Sequence, residues 1–210
     1  VTKRLLTMTS VSDDVNGPDA RTRLLDAAVQ AFAARGFHGT TTRDIASAAG
    51  MSPAALYVHH RSKEELLHQI SLAGHQHALA LCEAAVASSE NPRDQLVVLV
   101  RDFVRHHALN HTVGRIVNYE LAGLSPEHRA EIEKMRHRMD AIVRDLVRRG
   151  VDEGVFHTAE PAITGAAVLS LGIDVSRWFD SEGGWSPDQV AEHYCELVLR
   201  MVGSSGSSAS

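Results

Sequence analysis

The sequence predicts an all-α protein of about nine helices, and three features carry that prediction. Apolar residues return every three to four positions through most of the chain, and no segment shows the strict alternation of a strand. Aromatics make up only 5% of the residues while Ala, Leu and Val are abundant, a mixture suited to helix–helix packing. Five of the six prolines follow Ser52, Asn91, Ser125, Glu160 or Ser186, which places them in first helical turns where a missing N–H costs nothing.

Residues 1–18 are mixed and polar, end in Asn16-Gly17-Pro18, and read as a flexible arm. The first helix runs from about Asp19 to Arg35, with Leu24, Leu25, Ala28, Val29 and Phe32 on one stripe, and Gly36 stops it. Thr41 reads as an N-cap with Asp44 three residues on, opening a short helix to about Ala49. After the turn at Gly50-Met51, Ser52 caps a second short helix that ends near His60. Ser62-Lys63-Glu64-Glu65 has the form of a capping box and begins a long helix towards Ser88. Asn91-Pro92 starts a helix reaching about Asn110, and a shorter one follows from Thr112 to Leu124. Ser125-Pro126-Glu127 opens a charged helix to Arg149, flanked at its end by Gly150 and Gly154. Glu160-Pro161 leads a helix rich in small residues to Phe179, and Ser186-Pro187 leads the last, to about Val202. Residues 203–210, GSSGSSAS, are low-complexity and read as a disordered tail. The expected domains are residues 19–65 and 66–202.

Charge is divided unevenly. The chain carries −5 overall, but residues 1–70 hold eight Lys/Arg against seven Asp/Glu, and the rest holds thirteen against nineteen. A polyanion-binding surface therefore belongs near the N-terminus. Cys82 and Cys195 lie far apart without a signal-like segment, which points to reduced thiols in the cytoplasm. The longest aliphatic runs are like Leu96–Val100, far from the ~20 apolar residues of a membrane helix, so no membrane is expected as partner.

Two short helices joined by a glycine turn and braced by a longer one describe a helix-turn-helix, a unit that lays its second helix in the major groove of double-stranded DNA. Ser52, Pro53 and Ala54 are small enough for close approach to base edges. Tyr57 offers a hydroxyl to a phosphate, His59 and Lys63 stand a turn or so further on, and Arg43 projects from the preceding helix. The helix starts at Thr41 and Ser62 present free N–H groups to phosphate oxygens. A competing reading has Tyr57 and His59 closing a small core.

Residues 21–67, RTRLLDAAVQAFAARGFHGTTTRDIASAAGMSPAALYVHHRSKEELL, closely resemble the N-terminal domain of TetR/AcrR-family transcriptional regulators. The matching elements are Gly36-Phe37, Thr40-Thr41, Asp44-Ile45-Ala46, Gly50-Met51-Ser52, Ala55-Leu56-Tyr57, His59 and Ser62-Lys63-Glu64, without a gap. The resemblance implies a homodimer, a helical effector domain, and a repressor that leaves its operator when a small molecule binds. Two positions depart from the pattern. His60 stands where the family usually has a buried Phe, so it either finds a buried partner or turns out to a phosphate. Pro53 replaces a frequent Lys or Arg, which implies either weaker binding or greater reliance on an arm at Lys3 and Arg4. Further on, NYELAGLSPEHRAEI and LSLGIDVSRWF resemble the branch that answers to fatty acyl-CoA or steroid-related CoA thioesters.

In the second domain several polar residues fall on apolar stripes. His77 lies with Leu66, Ile70, Ala73 and Leu81; His107 lies with Leu96, Val100 and Phe103, and His111 one turn beyond. Glu120 follows Val113, Ile116 and Val117, and Asp174 sits between Ile173 and Val175 in the helix that reaches Trp178. Three readings stay open: a hydrogen-bonded core network; anchors for the polar end of an apolar ligand, together with Phe103, Tyr119 and Trp178; or a Zn²⁺ or Ni²⁺ site of His77, His107, His111, Glu120 and Asp174. His128 and His137 read as solvated. No cofactor is expected. Glu65-x-x-His68 has the spacing of a di-iron bundle, but no second copy exists, nor a phosphate loop or nucleophile elbow, so an enzyme is not expected. Dimerisation is assigned to the last two helices, where Gly165, Ala166, Ala167 and Gly172 allow close approach and Tyr194, Leu197, Leu199 and Val202 supply apolar surface.

Overall fold

The computed structural model describes residues 19–204, and every regular element among them is helical. The arm, with Lys3 and Arg4, and the tail from 205 onward lie outside the described residues. Gly203 and Ser204 close the last helix, the Ser204 N–H donating to Leu199 O at 3.0 Å.

The capping residues set where the helices begin. α1 (Ala20–Arg35) starts at Asp19, whose carboxylate accepts from Thr22 N at 2.7 Å, and stops at Gly36, where φ is 70°. Thr41 and Asp44 form a reciprocal capping box for α2 (Thr42–Ala48), and Ser52 caps α3 (Pro53–His59). Gly50, at φ 69°, makes the turn between them. Ser62 caps α4 (Lys63–Ala87) through Glu65 N, but Glu65 reaches back one residue further, to Arg61 N. α5 (Pro92–Leu109) and α6 (His111–Tyr119) meet at Asn110.

Two boundaries differ from the sequence expectation. The helix expected to reach Leu124 ends at Tyr119 and continues as a 3-10 turn, Leu121–Gly123. There Gly123 sits so close to the head that an added Cβ would lie 2.6 Å from Phe37 Cδ1, and only the turn brings the backbone that near. α7 (Pro126–Asp152) runs past Gly150, which stays helical because Phe156 packs over it; Gly154, at φ 72°, ends the segment. α8 (Pro161–Trp178) and α9 (Pro187–Met201) complete the fold.

α1 to α3 make a small head, and α4 carries the chain from it into a bundle where it packs on α5, α6 and α7. The apolar core is in two parts. One unites α5, α7, α8 and α9 around Leu99, Phe103, Val143 and Phe156. The other is centred on Leu24, Phe32, Ile45 and Leu56 of the head with Leu66 of α4, and also takes in Ile116, Val117, Leu124 and Ile132 from beyond. The head thus shares its core with the bundle, because α6 and the start of α7 bury apolar faces against α1 and α4.

Candidate functional site

α2 and α3 present a face held by few anchors. Leu56 is the buried residue of α3, while Ser52, Pro53, Ala54 and His59 are exposed and Tyr57 is 56% exposed. That exposure sets aside a core-closing role for Tyr57 and His59. The Tyr57 hydroxyl lies 3.3 Å from Thr42 Oγ1, which brings Thr42 of α2 to the same surface. Thr41 and Arg43 are exposed beside them. Val58, 79% exposed, is a further outward residue that an apolar side chain did not suggest. Lys63 differs: its Nζ donates to Phe37 O at 2.7 Å and Thr40 O at 2.8 Å and lies 4.3 Å from the Phe37 ring centre. Two of its three donors thus tie α4 to the loop before α2.

His60 takes neither of its two expected roles. It is 1% exposed, and neither ring nitrogen has a hydrogen-bond partner among the described residues; the Arg21 backbone approaches without reaching hydrogen-bond geometry. Burial pushes the ring below the usual imidazole range, so a neutral His fills the aromatic position.

Within the bundle a cavity of about 420 Å³ opens between α4, α5, α6, α7 and α8. Phe103, Val113, Val117, Met139 and Leu169 give it apolar walls, and His75, His106, His107, Asn110, Asn118 and Arg136 bring polar groups. His75 Nδ1 lies 2.8 Å from Ser71 O and His107 Nδ1 2.8 Å from Phe103 O. A carbonyl oxygen only accepts, so both Nδ1 atoms carry the proton and each Nε2 is left as an acceptor. Burial pushes His106 down to about 3, with His107 and His77 adding repulsion, and holds His107 at about 4. His75 is lowered by burial as well, and all three rings are neutral at pH 7.

Of the residues expected at a ligand, only Phe103 and His107 line this cavity. His77 is exposed, and its ring is tilted 37° against that of His106, with ring centres 4.5 Å apart. Leu66 and Ile70 of the expected stripe are buried, but further along α4 the inward residues are Gly74, His75, Ala78, Cys82 and Ala85 in place of Ala73, His77 and Leu81. Small residues at Ser71, Gly74, Ala78 and Ala85 were the available signal. His111 sits against Phe179, its Nδ1 donating to Ala108 O at 3.0 Å; the break at Asn110 takes it out of register with His107. Tyr119 and Glu120 border a separate cleft of about 280 Å³ beside Phe32 and Gly36 of the head, so Glu120 does not face the bundle interior. Asp174 pairs on the surface with Arg177, at 2.6 and 2.8 Å, which holds its carboxyl low. Trp178 packs against Tyr194 outside the cavity. The metal reading fails on the same geometry: among the described residues no three His, Cys, Asp or Glu side chains come together as metal ligands.

Sequence reading missed His75, His106, Asn118 and Arg136. Arg136 was legible in principle, four residues after Ile132 and three before Met139 on the inward face of α7. His128 is not simply solvated: its Nδ1 donates to Glu64 Oε1 at 2.8 Å, and its ring stacks on His68 at 3.6 Å. His137 lines the cavity on its open side.

On α8 and α9 the small residues are partly used within the chain. Gly165 is buried against Arg144 and Gly172 against Phe103, while Tyr194 meets Trp178 and Val202 is in the core. Ile163, Ala166, Leu171 and Leu197 remain exposed. Among the described residues no helix is long and apolar enough to cross a membrane.

Comparison with known proteins agrees with this architecture. Residues 24–70 match the profile of bacterial regulatory proteins of the tetR family, and residues 89–202 match the tetracyclin repressor-like C-terminal domain. The transcriptional repressor KstR2 of Mycobacterium tuberculosis is 30% identical over 199 residues, covering 91% of this chain and 96% of its own. Its solved structure, described as a ketosteroid transcriptional regulator, is similar at a TM-score of 0.81, with 27% identity over 88% of this chain and 95% of that one. A tetR-family regulatory protein from Rhodococcus RHA1 is 41% identical and reaches a TM-score of 0.84 over 90% of this chain and all of its own. The chain belongs to the TetR family of bacterial transcriptional regulators, which are DNA-binding, ligand-responsive proteins and not enzymes.

Proposed function

We propose that this regulator is a repressor released from operator DNA when a small, largely apolar effector fills the cavity between α4 and α8. One observation carries the reading: Val117 lines the cavity and also belongs to the apolar core shared with the head. Gly74 of α4 lies against it, an added Cβ there falling 3.3 Å from Val117 Cγ1. An effector pressing on this contact shifts α6 against α4, and the 3-10 turn at Gly123 passes the shift to Phe37.

The head reads DNA through α3, with Ser52, Pro53 and Ala54 at base edges and Thr41, Arg43, Tyr57 and His59 towards phosphates. Lys63 holds the α2 approach in place and keeps one donor for a phosphate. Two copies joined through α8 and α9 set their α3 helices roughly 34–36 Å apart or a small multiple of it. Ile163, 68% exposed, with Leu171 and Leu197 supports that face as the seam. The regulator acts in the cytoplasm, where its DNA lies. Release requires the effector to prefer the DNA-incompetent state; about 1.4 kcal/mol of coupling gives a tenfold loss of DNA affinity.

The cavity volume lies at the lower end of small-molecule sites, ~300–1,000 Å³. It fits an acyl chain or a fused-ring body and leaves the adenosine of a CoA thioester outside. The description of KstR2 as a ketosteroid regulator supports the same class. The test is a complex of the protein with a DNA duplex selected from a random pool, followed by fluorescence anisotropy. Lauroyl-CoA and a steroid acyl-CoA should release the DNA, and Val113→Trp, which fills the cavity, should stay bound. Release of that variant at wild-type concentrations would move the effector elsewhere.

A further inference from the structure

α7 carries its charges in pairs everywhere along the cavity except at one residue. Arg129 Nε donates to Glu133 Oε1 at 2.8 Å, and Arg144 Nε lies 3.1 Å from Asp140 Oδ2. The two carboxylates that border the cavity are therefore each answered by an arginine one turn away. Between them stands Arg136, half-buried, in the inward register of Ile132, Met139 and Val143. Its guanidinium pairs with no carboxylate among the described residues and makes one hydrogen bond, from Nη1 to Asn118 Oδ1 at 3.3 Å. It is the sole Lys or Arg among the residues lining the cavity. The surrounding rings of His75, His106 and His107 are neutral, so the guanidinium is a standing positive charge in a partly desolvated space. Such a charge is costly unless an anion answers it, and its planar fork suits two oxygens of one group.

We propose that Arg136 is the anion anchor of the effector site: two negatively charged oxygens of the effector dock on its guanidinium beside Asn118, and the apolar body lies along Phe103, Met139 and Leu169. This rests on the cavity being the effector site. The oxygens come from one of two sources, the carboxylate of an apolar acid or a phosphate of its CoA thioester. His75 and His107 present only acceptors, so they repel those oxygens and leave Arg136 as the place for them. They favour a hydroxyl or an N–H of the effector in their own part of the cavity.

Titration calorimetry on the full chain separates the sources, with laurate, lauroyl-CoA and dodecanol, and with cholate and choloyl-CoA as ring-bodied probes. The wild type should bind at least one anionic probe, and Arg136→Met should weaken that probe by about tenfold to a hundredfold, the range for a hydrogen-bonded charge. Dodecanol should bind both proteins alike, which shows that the variant's cavity is intact, and Arg136→Lys should recover part of the loss. Loss of the free acid alone assigns the carboxylate; loss of the thioester alone assigns the phosphate. Equal affinity of Arg136→Met and wild type for every anionic probe overturns the anchor, and so does a wild type that binds none of them. If binding survives unchanged in Val113→Trp, it is the cavity reading that falls instead.

Discussion

α3 and α4 are neighbours in the chain and use polar side chains in opposite senses. α3 spends Leu56 as its anchor and leaves Ser52, Tyr57 and His59 to solvent, where they need no partner until DNA arrives. α4 turns Ser71 and His75 inward, where His75 must be satisfied by the Ser71 carbonyl and is kept neutral by burial. An outward polar residue on a short helix advertises a binding face. An inward one is first a structural obligation, and becomes a ligand contact only if an open space adjoins it. The cavity beside His75 supplies that space, whereas His60, equally polar, does not line it.

Acid should separate the two regions most strongly. An unfolded His titrates near 6.5, whereas His106 and His107 are held at about 3 and about 4 in the fold. Between pH ~6.5 and ~4 the unfolded chain binds protons that the folded chain refuses, so stability is complete above pH ~6.5 and falls on acidification. Melting temperatures across this range should drop steeply; His107→Gln should flatten the drop more than His60→Phe. The reverse order would place the acid-sensitive element in the head.

A carboxylate on the outward face of α3 comes next. Ala54→Glu should reduce DNA affinity about a hundredfold or more through repulsion from the phosphate-lined groove. Its melting temperature should stay within about 2 °C, since Ala54 is exposed and surface changes cost little. Anisotropy at fixed salt reads this directly, and unchanged affinity would remove α3 as the reading element.

The join between head and bundle should respond in a smaller way. Gly123→Ala pushes a methyl towards Phe37 and Leu67 and should destabilise by about 1–3 kcal/mol in denaturant melts. A neutral result would mean that the 3-10 turn yields and does not transmit force. Smallest of all, Arg177→Ala breaks a surface pair with Asp174 and should leave the denaturant midpoint unchanged. A lower midpoint would give that pair a role beyond the surface.

The head was legible because its signals are local. Thr41 with Asp44, Gly50, Ser52 with Pro53, and Gly36 each act within four residues, so the helix starts, the turn and the exposed start of α3 follow from chemistry along the chain. The cavity was not legible in the same way. Whether His75 or His77 faces inward depends on which edge of the broad apolar face of α4 meets the bundle, and that is set by the packing of Gly74 on Val117 across to α6. The break at Asn110 that parts His111 from His107 likewise depends on how α6 docks against α8, where Gly114 lies against Ser176.

By itself, then, the sequence determined the all-helical class, the helix starts and the reading head, because caps, prolines and apolar period act over a few residues. The tertiary structure decided which polar side chains meet. It brought His75, His107, Asn118 and Arg136 from four helices to one cavity, and left His77, Asp174 and Trp178 outside it. Those choices rest on side-chain volume at helix crossings, a property of pairs of helices that no single stretch of chain contains.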